Sequence, residues 1–163
     1  MPNWAEGVLK IRGTRKDIRS FLTGALEPIP DVSQQIASFM GRKFEQPEVE
    51  IHEDEWDFNM KSPNGLYIKG TRRAFIESDI VWDFGDRHEE ILIIDSFKQA
   101  WGVDTEPFAI LSKQYGIDIK IYVFERGMEF NQDIEIRKGK ILKDNEIKFG
   151  DYEWECLMPN LGG

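Results

Sequence analysis

Asp104-Thr105-Glu106-Pro107-Phe108-Ala109-Ile110-Leu111-Ser112-Lys113-Gln114-Tyr115-Gly116-Ile117-Asp118-Ile119-Lys120-Ile121-Tyr122-Val123-Phe124 places a helix and a strand in immediate succession. The change of period inside this run decides the fold. Phe108, Leu111 and Tyr115 recur at helical spacing, after a capping Asp104 or Thr105 and a Pro107 in the first turn, where its missing amide costs nothing. Gly116 can end that helix. From Ile117 the apolar period drops to two: Ile117, Ile119, Ile121 and Val123 share one face, and Asp118, Lys120, Tyr122 and Phe124 share the other. The strand is expected to continue past an irregularity at Gly127 into residues 130–137, with a turn at Lys138-Gly139.

Upstream, residues 4–12 are β-compatible and Gly13 yields to Thr14, with Asp17 three positions later as a variant capping box. Ile18, Phe21, Leu22, Ala25 and Leu26 then line one helical face, and Glu27-Pro28-Ile29-Pro30 stops the helix, because proline lacks an amide donor and restricts its predecessor. To about residue 46 the pattern is poor and reads as loop with one helical turn near residues 32–40. Residues 47–60 alternate as a strand, with Ile51, Glu53, Glu55 and Asp57 on one face and His52, Asp54, Trp56, Phe58 and Met60 on the other. Pro63-Asn64-Gly65 signals a hairpin with residues 66–69 as the returning strand. Residues 74–77 and 80–84 read as further strands. Ile91-Leu92-Ile93-Ile94 is apolar on both faces, which suits a central strand covered on both sides. Beyond residue 140, Ile141, Ile147, Phe149 and Trp154 suggest another hairpin or edge pairing, with residues 160–163 frayed.

Strand, helix, a β-rich stretch, strand, helix and strand follow in that order. The fold class expected is α+β, a ferredoxin-like split β-α-β sandwich with a large β-rich insertion at residues 27–90 and a C-terminal β extension at 142–163, the whole forming a single domain over 1–163.

Pro2-Asn3-Trp4, followed by a strand, Gly13 and an amphipathic helix, resembles the start of the YubB ferredoxin-like family of plasmid-, phage- and other mobile-element-encoded proteins. Ala100-Trp101, leading into an aspartate-proline helix and a strand that ends Phe124-Glu125-Arg126-Gly127-Met128-Glu129-Phe130, looks like that family's second signature block. The match covers residues 2–26 and about 91–141. The family often carries a cysteine directly after the tryptophan, where this chain has Ala5, so no role for that cysteine transfers. The resemblance implies a fold and a genomic setting, and no reaction.

Composition narrows the rest. With 21 basic and 30 acidic residues, a net charge of -9 and a pI near 4.8, the chain disfavours nonspecific attraction to phosphate or anionic membrane. Residues 51–100 hold eleven acidic and six basic side chains, whereas residues 1–50 hold seven of each, so any basic surface lies early. The single cysteine, Cys156, excludes an internal disulfide and a thiolate cluster, and with no apolar run near the length of a membrane span the chain reads as cytoplasmic, without a membrane partner. No GxSxG elbow, Walker loop, GxGxxG fingerprint or HExxH pair occurs.

Three functions compete. The first is a non-enzymatic accessory protein of a mobile element that binds another protein through an acidic or tryptophan-bearing surface, with Trp4, Trp56, Trp82, Trp101, Glu125 and Glu129 as its binding residues. The second is nucleic-acid binding through Lys10, Arg12, Arg15, Lys16 and Arg19 together with Lys69, Arg72 and Arg73. Lys69-Gly70-Thr71-Arg72-Arg73-Ala74-Phe75 superficially matches an RNA-recognition sequence, but Thr71 and Arg73 stand where stacking rings belong. The third is a carboxylate enzyme using Glu125 and Glu129 with Asp79 or Asp83; Arg126 argues against it, since a nearby cation holds both carboxylates ionised and leaves a bulged strand with a surface ion pair. No catalytic residue, cofactor or metal is assigned: His52 and Asp54 give two ligands on one strand face, with His88, Glu89 and Glu90 elsewhere, and Cys156 beside Glu155 reads as structural. If the split topology holds, Asn3 and Trp4 should lie beside residues 125–127.

Overall fold

The computed structural model describes residues 2–41 and 47–163, so the end of the expected loop, residues 42–46, lies outside the described residues. The fold is α+β and mostly antiparallel sheet. The first strand, β1 (Trp4–Gly13), leads into α1 (Arg15–Ala25), whose Thr14 cap accepts the amide of Asp17 and donates its hydroxyl to the Asp17 carboxylate at 2.7 Å. Ile18, Phe21, Leu22 and Ala25 are buried, as their spacing requires. Helix α1 is followed by β2 (Leu26–Pro28) and α2 (Val32–Phe39), where a loop with one turn was expected. The proline is tolerated because β2 lies at the edge of its sheet, paired only with β5 (Leu66–Ile68).

The alternation through residues 47–60 is two strands, not one. Strands β3 (Glu50–Glu53) and β4 (Asp57–Lys61) pair antiparallel, because Asp54 Oδ1 accepts the amides of Trp56 and Asp57 at 2.7 and 3.0 Å and folds the chain back on itself. Asn64-Gly65 does turn the chain, with Gly65 at φ 83°, but no hairpin results. Strand β4 belongs to a three-stranded sheet ordered β3-β4-β7, with β7 spanning Ile80–Asp83, whereas β5 pairs with β2 and with β6 (Ala74–Ile76). The turn therefore hands the chain from the small sheet to the large one.

The large sheet has the order β11-β10-β9-β1-β8-β6-β5-β2. Here β8 is Glu90–Ala100, β9 is Asp118–Glu125, β10 is Phe130–Arg137 and β11 is Lys140–Lys148. Between β8 and β9 runs α3 (Thr105–Tyr115), and β1 lies between those two strands, antiparallel to both. Asp104 occupies the cap position without a side-chain bond, Thr105 donates to Asp144 at 2.9 Å, and Gly116 ends the helix in the left-handed region at φ 66°. Gly7 is needed where β1 meets β9, since a Cβ there would collide with the Tyr122 carbonyl.

Helices α1 and α3 share one face of this sheet, joined by Phe21 against Tyr115 at 5.7 Å, with Phe108 of α3 against Phe97 of β8 at 5.9 Å. The small sheet joins the same core through Phe58, Met60, Ile80 and Trp82 and is tied to α1 by Arg19, which donates to Glu53 at 2.7 Å. Among the described residues nothing equivalent covers the other face along most of its length. The expectation that residues 91–94 are covered on both sides fails for this reason: Leu92 and Ile94 point into the core, while Ile91 and Ile93 are 49% and 51% exposed.

Gly127 is not an irregularity within one strand. Residues 126–129 form the turn of a β9-β10 hairpin in which Glu125 opposes Phe130. Lys138-Gly139 turns β10 into β11 as expected. After β11 comes a single turn of helix, α4 (Tyr152–Glu155), so the extension over 142–163 is only partly β. Residues 160–163 are held rather than frayed, with Gly163 N donating to Trp4 O at 2.9 Å and Leu161 packed against the Phe124 cluster. Among the described residues no helix is long and apolar enough to cross a membrane.

Candidate functional site

The face of the large sheet away from the helices carries the unusual chemistry, and strand parity places its residues. On β1 the core side takes Ala5, Leu9 and Ile11, which leaves Trp4, Glu6, Val8, Lys10 and Arg12 outward. On β6 the buried Ala74 and Ile76 leave Phe75 outward, opposite Lys98 of β8, and on β5 Tyr67 lies outward between Leu66 and Ile68. These rings meet edge to face: Trp4 and Phe75 at 5.9 Å, Phe75 and Tyr67 at 5.7 Å. Cations lie over them. Lys98 is 4.7 Å from the Trp4 ring centre, and the Arg73 guanidinium stands between two indoles, 5.4 Å from Trp4 and 5.6 Å from Trp101, with Arg72 at 5.7 Å from Trp101.

Arg73 and Trp101 both adopt left-handed backbone, at φ 53° and 58°. That conformation costs a non-glycine residue about 1–2 kcal/mol. Two such residues meet within one ring-and-cation cluster, so the surrounding structure holds strain where the side chains converge. A groove of about 470 Å³ lies against Trp4, Arg73, Phe75 and Lys98.

Farther along β1, Lys10 stands directly opposite Lys120 of β9. Like charges in facing positions are unfavourable; Lys120 has Glu135 of β10 opposite it on its other side, although among the described residues neither ammonium lies within 4 Å of a carboxylate. They border a groove of about 250 Å³ with Arg12, Ile91, Glu135 and Arg137. The other cations there are already paired: Arg12 with Asp118, which raises the guanidinium pKa mainly through their hydrogen bond, and Arg137 with Glu135, which holds that carboxyl below its ordinary value.

At its far end the same face is covered. Residues 149–161 lie over Tyr122, Phe124 and Asn131, placing Tyr152 and Cys156 in a small second core. Asn131 Oδ1 accepts the Tyr152 hydroxyl at 3.1 Å, and its amide nitrogen donates to the Tyr122 hydroxyl at 3.3 Å and contacts Cys156 Sγ at 3.6 Å. Burial first, and then the Cys156 contact, push the Tyr152 phenol above its ordinary pKa. Outside this cover the segment presents Trp154 at 86% exposure and Leu157 at 91%, with Met158 and, on the 126–129 turn, Met128 also exposed. Glu153 and Glu129 border a shared cleft between the turn and the segment.

The residues singled out from sequence divide accordingly. Trp4 and Trp101 enter one cluster with Arg72 and Arg73, and Lys69 pairs with Glu27 nearby. Trp82 is buried under the small sheet against Phe58 and Phe84 and offers no surface, while Trp56 is exposed on the β3-β4 turn. Lys10 and Arg12 lie on the outer face, but Arg15, Lys16 and Arg19 belong to α1 on the opposite one, so the early basic cluster is divided by the sheet. Arg15 lies 4.0 Å over Phe84, with its guanidinium 3.6 Å from Glu90.

Glu125 is fully buried and forms no surface ion pair. Its two oxygens accept the amides of Gly127 and Met128 at 2.9 and 2.7 Å, which makes it the brace of the turn. Glu129 is exposed, and Asp79 and Asp83 lie at β7 in the other sheet, so these four carboxylates are not gathered. Asn3 lies against Gly127, where its side chain fills the space that a Cβ would take. Asp57 joins His52 and Asp54 with ligand atoms within 4.8 Å of one another, but these groups are exposed or half-buried and Asp54 already serves the β3-β4 turn.

Sequence reasoning missed Tyr67, Phe75 and Lys98 as a group. The available signal was parity, because each alternates with buried apolar neighbours in a short strand. It also missed Trp154, Leu157 and Met158, whose spacing resembles any short helical face. Comparison with protein-family models matches no family, and comparisons with curated proteins and with solved structures match none.

Proposed function

We propose that the protein is a non-enzymatic accessory binding module of a mobile genetic element, and that a partner protein docks where residues 128 and 154–158 project. The observation that carries this reading is the near-complete exposure of Trp154 and Leu157 on a segment otherwise fixed to the sheet by Tyr152, Cys156 and Leu161. A tethered segment could bury such side chains, and large apolar groups left in water beside charged residues mark interaction sites. Glu129, Asp151, Glu153 and Glu155 give the surroundings an acidic character that favours a basic partner. The order β9-β1-β8-β6, with α1 and α3 on one face, supports the ferredoxin-like reading and makes the small sheet part of its β-rich insertion. The YubB resemblance supports the accessory setting.

The test is a capture from nuclease-treated bacterial lysate with the wild-type chain and with Trp154→Ala/Leu157→Ser. A protein retained by the wild type and lost from the variant is expected. Identical sets of captured proteins would remove this surface as the docking site.

A further inference from the structure

A second ligand of different chemistry fits the uncovered sheet face. We infer that single-stranded nucleic acid binds across it, with unpaired bases against Trp4, Phe75 and Tyr67 and phosphates along Arg72, Arg73, Lys10 and Lys120.

Three observations converge on this ligand. First, the rings and cations lie on one face and in one order: Tyr67, Phe75 and Trp4 in edge contact, Lys98 and Arg73 over the indole, then Lys10 and Lys120 farther along β1. Unpaired bases offer π-faces for such rings, and their backbone offers an anion beside each. A duplex hides its base faces, so the same surface discriminates against it.

Second, the face departs from the acidic character of the chain. Its carboxylates Glu77, Asp118, Asp133 and Glu135 are each engaged by Lys98, Arg12, Lys143 and Arg137. Among the described residues Lys10, Lys120, Arg72 and Arg73 have no carboxylate within 4 Å, against Glu6 and Asp95 of opposite sign on the same strands. The excess of -9 lies elsewhere, much of it within residues 51–95. Charge complementarity therefore exists locally although the whole protein repels polyanions, which predicts modest affinity and strong dependence on salt.

Third, Lys10 faces Lys120, while the Glu135 opposite Lys120 on its other side is already paired with Arg137, and Arg73 and Trp101 hold left-handed backbone. A phosphate between the lysines relieves the first, and a base beside the Arg73 and Trp101 pair uses the second. The surface differs from the protein-docking patch, so either can fail without the other.

The experiment is fluorescence anisotropy of a labelled oligothymidylate of about fifteen nucleotides, titrated with the full chain, with the matching duplex measured alongside. Saturable binding is expected at low salt. Four phosphate contacts, at a slope of about 0.7 each for single strands, should weaken it about a hundredfold between 50 and 300 mM salt. Phe75→Ala is expected to reduce affinity about tenfold, Arg73→Gln by a similar factor, and Lys10→Ala/Lys120→Ala to lower both the affinity and the salt slope. Arg73→Gln removes an exposed cation without entering the core, so a folding defect in Phe75→Ala leaves the question decided. No saturable binding at 50 mM salt, equal affinity for the duplex, or variants that bind like the wild type would each overturn the inference.

Discussion

The two ends of the outer sheet face begin from the same sequence pattern and finish differently. On β9, Tyr122 and Phe124 alternate with core residues and are covered by residues 149–161; Lys120 on the same strand, like Ile91 and Ile93 on β8, has no cover among the described residues. At the covered end the polar atoms find partners, with Asn131 serving Tyr122, Tyr152 and Cys156. At the bare end two lysines face one another, and the Glu135 on the other side of Lys120 is already paired with Arg137. Alternation fixes which side chains share a face, and a remote segment decides whether that face is core or surface.

The sharpest way to break this comparison uses adjacent residues of β8. Leu92 is buried on the helix side, and Leu92→Ala should cost about 2–5 kcal/mol, from lost burial plus the cavity left behind. Urea unfolding measures it directly. A loss below about 1 kcal/mol would mean that the helix side is not the packed one.

The covered end has a signature of its own at high pH. Tyr152 ionises above its ordinary value in the folded chain, so as pH rises past about 10 the unfolded state gives up this proton first. Stability from this group is complete below that pH and is lost as pH climbs toward the folded value. The loss is at most about 1.4 kcal/mol per pH unit. Unfolding curves at pH 9 and 11 should differ accordingly for the wild type, and Tyr152→Phe should reduce the difference. An unchanged pH dependence in that variant would show that the cover does not hold the phenol neutral.

The same contrast explains what could be read from the chain. Thr14 with Asp17, the apolar face of α1 and the change of period at Gly116 are local signals, and they correspond to β1, α1, α3 and β9. The small sheet was not legible, because the alternation through residues 47–60 continues unbroken across the Asp54 turn and only the pairing partners reveal two strands. Asn64-Gly65 announces a turn truly, yet a turn does not specify which sheet receives the next strand. Glu125 reads from sequence as one side of a surface ion pair in a bulged strand, because Arg126 and Glu129 adjoin it; its actual partners are the two backbone amides of Gly127 and Met128. Trp4 and Phe75 are far apart in the chain, and β8 between them sets their meeting.

The smallest expected effect is the most direct test of the bare face. Ile91 and Ile93 sit in an apolar run that reads as fully buried, yet each is about half exposed. Their outward positions put them opposite Arg12 and Lys10 of β1, so the neighbours across the strand are charged rather than close-packed. Threonine keeps the branched side chain that a strand favours while replacing a methyl-bearing arm with a hydroxyl that water can solvate. Ile91→Thr and Ile93→Thr should therefore each shift stability by no more than about 0.5 kcal/mol, against the much larger loss at Leu92 between them. A cost of about 2 kcal/mol or more at either, the size expected of a buried position, would mean that a further layer covers this face in solution, whether a second copy or a rearranged segment. Near-neutrality leaves the face open to a ligand.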